Sequence, residues 1–258
     1  MKQPLNTRTQ GDGPAIVILH GLFGSSTNWN RIARDLASDH LVVTMDLPNH
    51  GQSPHVDEMS YPAMAAAVAE TMDHHGIPPA TVVGHSMGGK VAMALALSDS
   101  DYVQRLLVAD IAPMAYGDHG HGRLLRALQR MDPRRLGSRN AASEALADDI
   151  PEAGLRQFLL TNLEAADGAF RWRIPLAALE NNLPVIADFP EFDTTYTGPT
   201  LFLHGEKSDY VPESAQAGIR TLFPEAAIEA LPGAGHWLHA EQPDAFTRRL
   251  RAFLAHEP

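Results

Sequence analysis

Four short apolar runs constrain this chain more than anything else in it: residues 15–20, 41–46, 81–85 and 106–110, all rich in Val, Ile and Leu. None alternates with polar residues, so each reads as a strand buried on both faces. A strand of that kind needs helices above and below it, and stretches with helical spacing lie between the runs at 29–37, 63–74 and 87–98. Strand–helix alternation predicts an α/β fold: a mostly parallel central sheet with helices on both faces. From 114 to 197 the pattern changes. No strand run stands out there, segments 123–131, 141–149, 153–163 and 170–183 have helical spacing, and Pro133, Gly137, Pro151, Gly168 and Pro184 punctuate them. Strand–helix alternation resumes with 200–204, 214–222, 227–231 and a last helix at 243–255. The expected organisation is therefore a core of 1–113 and 198–258 interrupted by a helical insertion at 114–197. Insertions of about 85 residues in a compact domain are usually functional, so this one reads as a cap or lid, against the plainer reading of added scaffold.

Composition excludes several classes of function. The formal net charge of −11 argues against nucleic acid, which is bound through Lys and Arg at phosphates. Without cysteine there are no disulfides, thiolate metal sites or Cys nucleophile. Residues 1–10 are polar and lack the apolar segment of a secretory signal, and 15–19 is far too short to span a bilayer, so the expected location is cytoplasmic and no membrane partner is expected. No P-loop, G-x-G-x-x-G or H-E-x-x-H occurs, so no cofactor and no metal is expected. His119 and His121 form a weak metal-like pair and read as part of a Gly-rich loop. Oligomeric state is not legible.

Gly84-His85-Ser86-Met87-Gly88 fits G-x-S-x-G between a strand run and a helical one, the context in which that motif is the nucleophile elbow of an α/β-hydrolase. The turn lifts a serine hydroxyl above the sheet edge, where a base can activate it. It also brings backbone so close that Gly84 and Gly88 have no room for a Cβ. The helix start adds free N–H groups and the positive end of a dipole. The alternative is an ordinary serine in a Gly-rich turn, but that leaves the flanking strand and helix unexplained. His20-Gly21-Leu22-Phe23-Gly24 follows the first clear strand, and that loop and the residue after the nucleophile supply the oxyanion N–H groups in this fold. The candidates are Leu22 and Met87, and the alternative is a turn that only reverses the chain.

Thirteen histidines compete to be the base. His74 and His75 sit at a helix end, His239 and His256 in or near the last helix, and His85 on a strand pointing away from its neighbour Ser86. His204 ends a strand and is a possible pocket residue. His236 follows the last strand in the order Ser, acid, His that this fold uses, with Gly235 permitting the turn. Two places offer the acid, which holds the His tautomer and offsets its charge. One is the strand end Asp110-Ile111-Ala112-Pro113, and the other is the loop Gly205-Glu206-Lys207-Ser208-Asp209-Tyr210-Val211-Pro212.

His20-Gly21-Leu22-Phe23-Gly24-Ser25, Asp46-Leu47-Pro48-Asn49-His50-Gly51-Gln52-Ser53, Gly84-His85-Ser86-Met87-Gly88-Gly89-Lys90 and Asp110-Ile111-Ala112-Pro113 together resemble the bacterial YbfF-type esterases over nearly the whole chain. The first and third motifs occur throughout α/β-hydrolases, and the last is the more specific. The commoner hydrolase pattern has Asp three residues after the Gly of the later loop; here that position is Ser208, with Asp209 one residue late. The resemblance implies that Asp110 supplies the carboxylate, that Ser208 also contacts the histidine, and that the substrates are short-to-medium acyl esters, with acyl thioesters a further class. The turn at 46–53 reads as structural. Phe23, Trp172, Phe158 and Leu159 are candidates for an apolar acyl pocket, each equally well explained as core. Two rival functions stand beside serine ester hydrolysis. One is carbon–carbon bond hydrolysis or cofactor-free lyase chemistry, with Arg171 and Arg173 gripping a substrate carboxylate. The other is a non-catalytic ligand receptor on the same fold.

Overall fold

A computed structural model describes residues 3–117, 120–166 and 168–255. In chain order the first half runs β1 (Thr7–Gln10), β2 (Ala15–Leu19), α1 (Asn30–Leu36), β3 (Leu41–Met45), α2 (Tyr61–His74), β4 (Ala80–His85), α3 (Met87–Ser98) and β5 (Val103–Ala109). An insertion follows with α4 (His121–Arg130), α5 (Arg139–Ala145), α6 (Ala153–Leu160), β6 (Leu163–Ala166), β7 (Ala169–Trp172) and α7 (Leu176–Ala187). The chain closes with β8 (Thr200–Gly205), α8 (Gln216–Leu222), β9 (Ala226–Leu231), α9 (Leu238–Glu241) and α10 (Pro243–Ala255).

Seven strands form one sheet in the order β1-β3-β2-β4-β5-β8-β9. All neighbours are parallel except β1, which pairs antiparallel with β3 at the edge. Successive side chains of a strand point to opposite faces, and both faces here are apolar. Ile16 and Ile18 of β2 pack with Ile32 and Leu36 of α1 and Phe246 and Leu250 of α10. Val17 and Leu19 pack on the other face with Met64 and Val68 of α2 and Val91 of α3. The edge strand β1, Thr-Arg-Thr-Gln, is polar and half-exposed, which is why apolar periodicity does not reveal it.

The insertion differs from expectation in one respect. Segments 153–163 and 170–183 are not two uninterrupted helices, because the hairpin β6–β7 lies between α6 and α7. Ala166 pairs with Ala169, and Gly168 has φ 79°. An Asp-Gly dipeptide in the sequence is a hairpin signal, and it outweighs the helical spacing around it. Among the described residues the insertion has no separate core, since Leu125, Leu128, Leu159 and Leu179 belong to the same buried cluster as Met87 and Val91. Polar contacts also tie it down. Asn182 accepts from the Met59 amide and donates to the Asp57 carbonyl, and the Tyr61 hydroxyl donates to the Ile186 carbonyl. No helix among the described residues is long and apolar enough to cross a membrane.

Candidate active site

Loops at the carboxyl ends of β2, β4, β5, β8 and β9 converge on Ser86. This is the edge where open parallel sheets bind ligands. Ser86 stands between β4 and α3 with φ 53° and ψ −120°, a backbone conformation that L side chains seldom adopt. Close packing enforces the turn. A Cβ on Gly84 would lie 2.2 Å from the Gly88 carbonyl oxygen, and one on Gly88 would lie 2.5 Å from the carbonyl oxygens of Leu19 and His20. The Ser86 amide donates to the Ala109 carbonyl at 3.0 Å, which fixes the elbow to the end of β5.

Of the non-glycine residues with positive φ, Phe23, Ser86 and Asp110 all stand at this edge, and Asn49 is in the turn that braces it. Strained backbone concentrates where surrounding structure over-determines it. Two buried histidines do so at the loop after β2. His20 accepts from the Leu47 amide on Nε2, and His50 accepts from the Phe23 amide on Nε2. Each donates from Nδ1 to a carbonyl, of Gly21 and Pro48 respectively. Burial holds both rings neutral, lowering His20 and taking His50 down to about 3. Leu22 and Met87 line the cavity at Ser86, and neither amide is used in a backbone hydrogen bond of the described turns and loops.

Asp110 is fully buried at the end of β5. Its Oδ1 accepts from the Gly205 amide at 2.8 Å, and its Oδ2 accepts from His236 Nδ1 at 2.6 Å and from the Ser208 hydroxyl at 2.5 Å. Nδ1 is therefore the protonated nitrogen and Nε2 is left as the basic one. Ser208 contacts the carboxylate, not the histidine. Asp209 is exposed. His236 reaches Asp110 because Gly205 and Gly235 approach closely, a Cβ on Gly205 falling 2.2 Å from the Gly235 oxygen. The Glu241 carboxylate holds this loop by accepting from the amides of Gly235 and Trp237. Tyr210 stacks on the His236 ring with centroids 4.0 Å apart.

His85 corrects the sequence reading. It does not point away: its Nε2 lies 2.8 Å from the His236 carbonyl oxygen, and its ring is 4.8 Å from the His236 ring. Burial keeps it neutral, its acid strength raised further by His239 and His236. It braces the His236 loop from behind. Simple strand alternation misplaces it because β4 ends there and the chain turns.

Two cavities meet at Ser86. One, of about 330 Å³, is lined by Tyr61, Lys90, Ile111, Tyr116, Leu183 and Ala187. The other, of about 190 Å³, is lined by Phe23, His121, Leu155, Phe158, His236 and Trp237. Phe23 and Phe158 are thus at the site. Leu159 is buried core, and Trp172 lines neither cavity, because hairpin β6–β7 packs its ring against the core. His204 lines neither cavity, and its Nδ1 lies 3.1 Å from the Gly205 oxygen. His121 opens α4 and lines both cavities instead of lying in a loop, while His119 and His256 lie outside the described residues. Arg171 and Arg173 are both paired with Glu164, at 2.7 and 3.0 Å, and neither lines a cavity with Ser86.

Lys90, one turn after Ser86, had no expected role. Its side chain is buried, and Nζ donates to the carbonyls of Ala187 at 3.0 Å and Asp188 at 2.7 Å, the end of α7. The Tyr116 ring lies 4.7 Å from Nζ and the Tyr61 ring 5.5 Å from it. Desolvation brings this ammonium down to about 7. The one sequence signal was a Lys at helical spacing within an otherwise apolar α3.

A strained serine at a strand-to-helix turn, beside a buried Asp–His pair held from separate strand ends, defines an α/β-hydrolase, and the family model for the α/β-hydrolase fold matches residues 14–243. The chain belongs to this family. It is 44% identical to the sn-1-specific diacylglycerol lipase ABHD11 of Mus musculus over 94% of this chain and 81% of the mouse protein. It is 38% identical to the esterase YbfF of Escherichia coli, covering 96% of this chain and 95% of that one. The solved structure of a marine microorganism esterase superposes with a TM-score of 0.95 at 38% identity, covering 97% and 99% of the two chains.

Proposed function

We propose that the protein is a serine carboxylic-ester hydrolase acting through Ser86, His236 and Asp110. His236 Nε2 takes the proton of the Ser86 hydroxyl as Oγ attacks the acyl carbonyl. The Leu22 and Met87 amides hold the developing oxyanion, a contribution of several kcal/mol where such donors are preset. Asp110 keeps Nδ1 protonated and stabilises the imidazolium, and Ser208 and the Gly205 amide fix the carboxylate. His236 then returns the proton to the leaving alcohol, and water clears the acyl-enzyme by the reverse exchange. The observation that carries this reading is the 2.6 Å Asp110–His236 pair set beside a serine in the elbow conformation. Relatives named as esterase and as diacylglycerol lipase support an ester substrate. Tyr116, Leu183 and Ala187 line the cavity at Ser86, and this supports a covering role for the 114–197 insertion. Short-to-medium acyl groups suit a 330 Å³ chamber, which is small for a ligand site. The carbon–carbon reading loses its motive, because Arg171 and Arg173 are engaged by Glu164.

The test is hydrolysis of nitrophenyl esters from acetate to decanoate by wild type beside Ser86→Ala. Turnover that falls about 10⁶-fold in kcat with the substitution is expected. A folded wild type inert on every ester would sink the proposal, as would a Ser86→Ala variant of near-normal rate.

A further inference from the structure

We infer that the two cavities at Ser86 divide the substrate, and that this enzyme is built for esters whose leaving alcohol carries a large apolar group while the acyl chain is of limited length. The inference rests on the serine-esterase reading. When the tetrahedral intermediate collapses, the bond between the acyl carbon and the alcohol oxygen breaks, and that oxygen takes the proton held on His236 Nε2. The leaving oxygen must therefore lie on the His236 side. His236 lines the chamber with Phe23, Phe158 and Trp237 and does not line the chamber with Lys90 and Ile111. The alcohol occupies the first and the acyl chain the second.

The two sides are built differently. The acyl chamber of about 330 Å³ is floored by α7, whose end is clamped to α3 by Lys90 and to α2 by Tyr61. The alcohol chamber, only about 190 Å³, shares Asn28, Leu124, Leu155, Phe158, Trp237 and His239 with an open groove of about 670 Å³ between the insertion and α9. The two form a single trough running from the leaving-group position to the surface. Its floor is apolar, and Trp237 is one of only three large hydrophobic side chains exposed among the described residues. Arg123, Glu152 and Glu241 stand along it, a mixed set that favours no strongly charged alcohol. The same trough lets the alcohol depart and the attacking water arrive at the position it vacates.

Two ester series separate the sides: butyrates of alcohols from methanol to decanol, and ethyl esters of acids from acetate to decanoate. In wild type, kcat/KM should climb with alcohol length to the end of its series and pass through a maximum in the acid series. Leu155→Trp, which fills the trough, should lower the decyl-to-methyl ratio about tenfold and leave the acid profile in place. Leu183→Trp, which fills the acyl chamber, should shift the acid maximum to shorter chains and leave the alcohol ratio in place. Because each readout is a ratio, a partly unfolded preparation lowers both terms equally. Swapped effects, or each variant changing both profiles alike, would overturn the assignment while leaving the esterase reading intact. Absence of Ser86-dependent turnover in both series would overturn both.

Discussion

At the scale of single residues, the acid is the informative position. Asp110 and Asp209 are both carboxylates near strand ends, and only the former is buried with three donors on its oxygens. Asp110→Asn should cost about 10⁴ in kcat, because an amide at that position can favour the wrong His236 tautomer. Asp209→Asn should stay within a factor of about two, as an exposed surface change does. Ser208→Ala removes one hydrogen bond to a charged group, worth about 1.5–3 kcal/mol, so a loss of roughly ten- to a hundredfold in kcat is expected. Steady-state rates of the three variants on one ester check the ranking, and a near-normal Asp110→Asn would remove Asp110 from the mechanism. Ser86 and His236 could be singled out from the sequence because motif and chain order leave few choices. Spacing left the acid open between two sites, and only the resemblance favoured Asp110. His85, Tyr210 and Lys90 were not legible as site residues, because each depends on which loop folds back over it, a long-range fact that periodicity does not carry.

At the scale of elements, the sheet strands and the helices that cover them could be read from apolar runs, since burial on both faces leaves an unbroken hydrophobic signature. The edge strand β1 and the hairpin β6–β7 could not. Both are half-exposed, and their sequences satisfy backbone pairing more than side-chain burial. The contact of α3 with α7 is also hidden in sequence, because it runs through a cation. Lys90 is taken out of water, satisfied by two carbonyls and two ring faces, and its acidity rises accordingly. Between the folded value of about 7 and the ordinary value of 10.5, the unfolded chain binds a proton that the folded chain does not. The contribution to stability therefore increases with pH across that window. Denaturant unfolding of wild type and Lys90→Met from pH 7 to 9.5 should show the difference moving in favour of wild type, by up to about 1.4 kcal/mol per pH unit. Parallel pH dependences would mean that the ammonium is not desolvated in the folded protein.

At the scale of the whole molecule, the site edge stores unprotonated imidazole. His20, His50, His85 and His239 are buried and shifted down, His50 and His239 to about 3, with desolvation the main cause for each. Above the ordinary value of 6.5 both states are neutral at these positions and nothing is lost. Below it the unfolded chain takes up protons that the folded chain refuses, so stability falls as pH drops, His50 and His239 each contributing up to about 1.4 kcal/mol per pH unit. Stability should therefore decline steeply from pH 6.5 toward 4.5, and a His50→Asn variant should show a shallower slope in the same denaturant series. A flat wild-type profile would show that these rings charge without unfolding. Ser86 and Asp110, the proposed nucleophile and acid, follow β4 and β5, adjacent strands held in register from Val82 and Leu106 to His85 and Ala109. Their separation is set by the roughly 4.8 Å spacing of a hydrogen-bonded ladder. Only the histidine arrives on a loop. The proposed triad therefore takes two members from strand ends and the third from a loop held by Glu241 and His85, so warming should lower activity reversibly as those contacts loosen, before the sheet beneath unfolds.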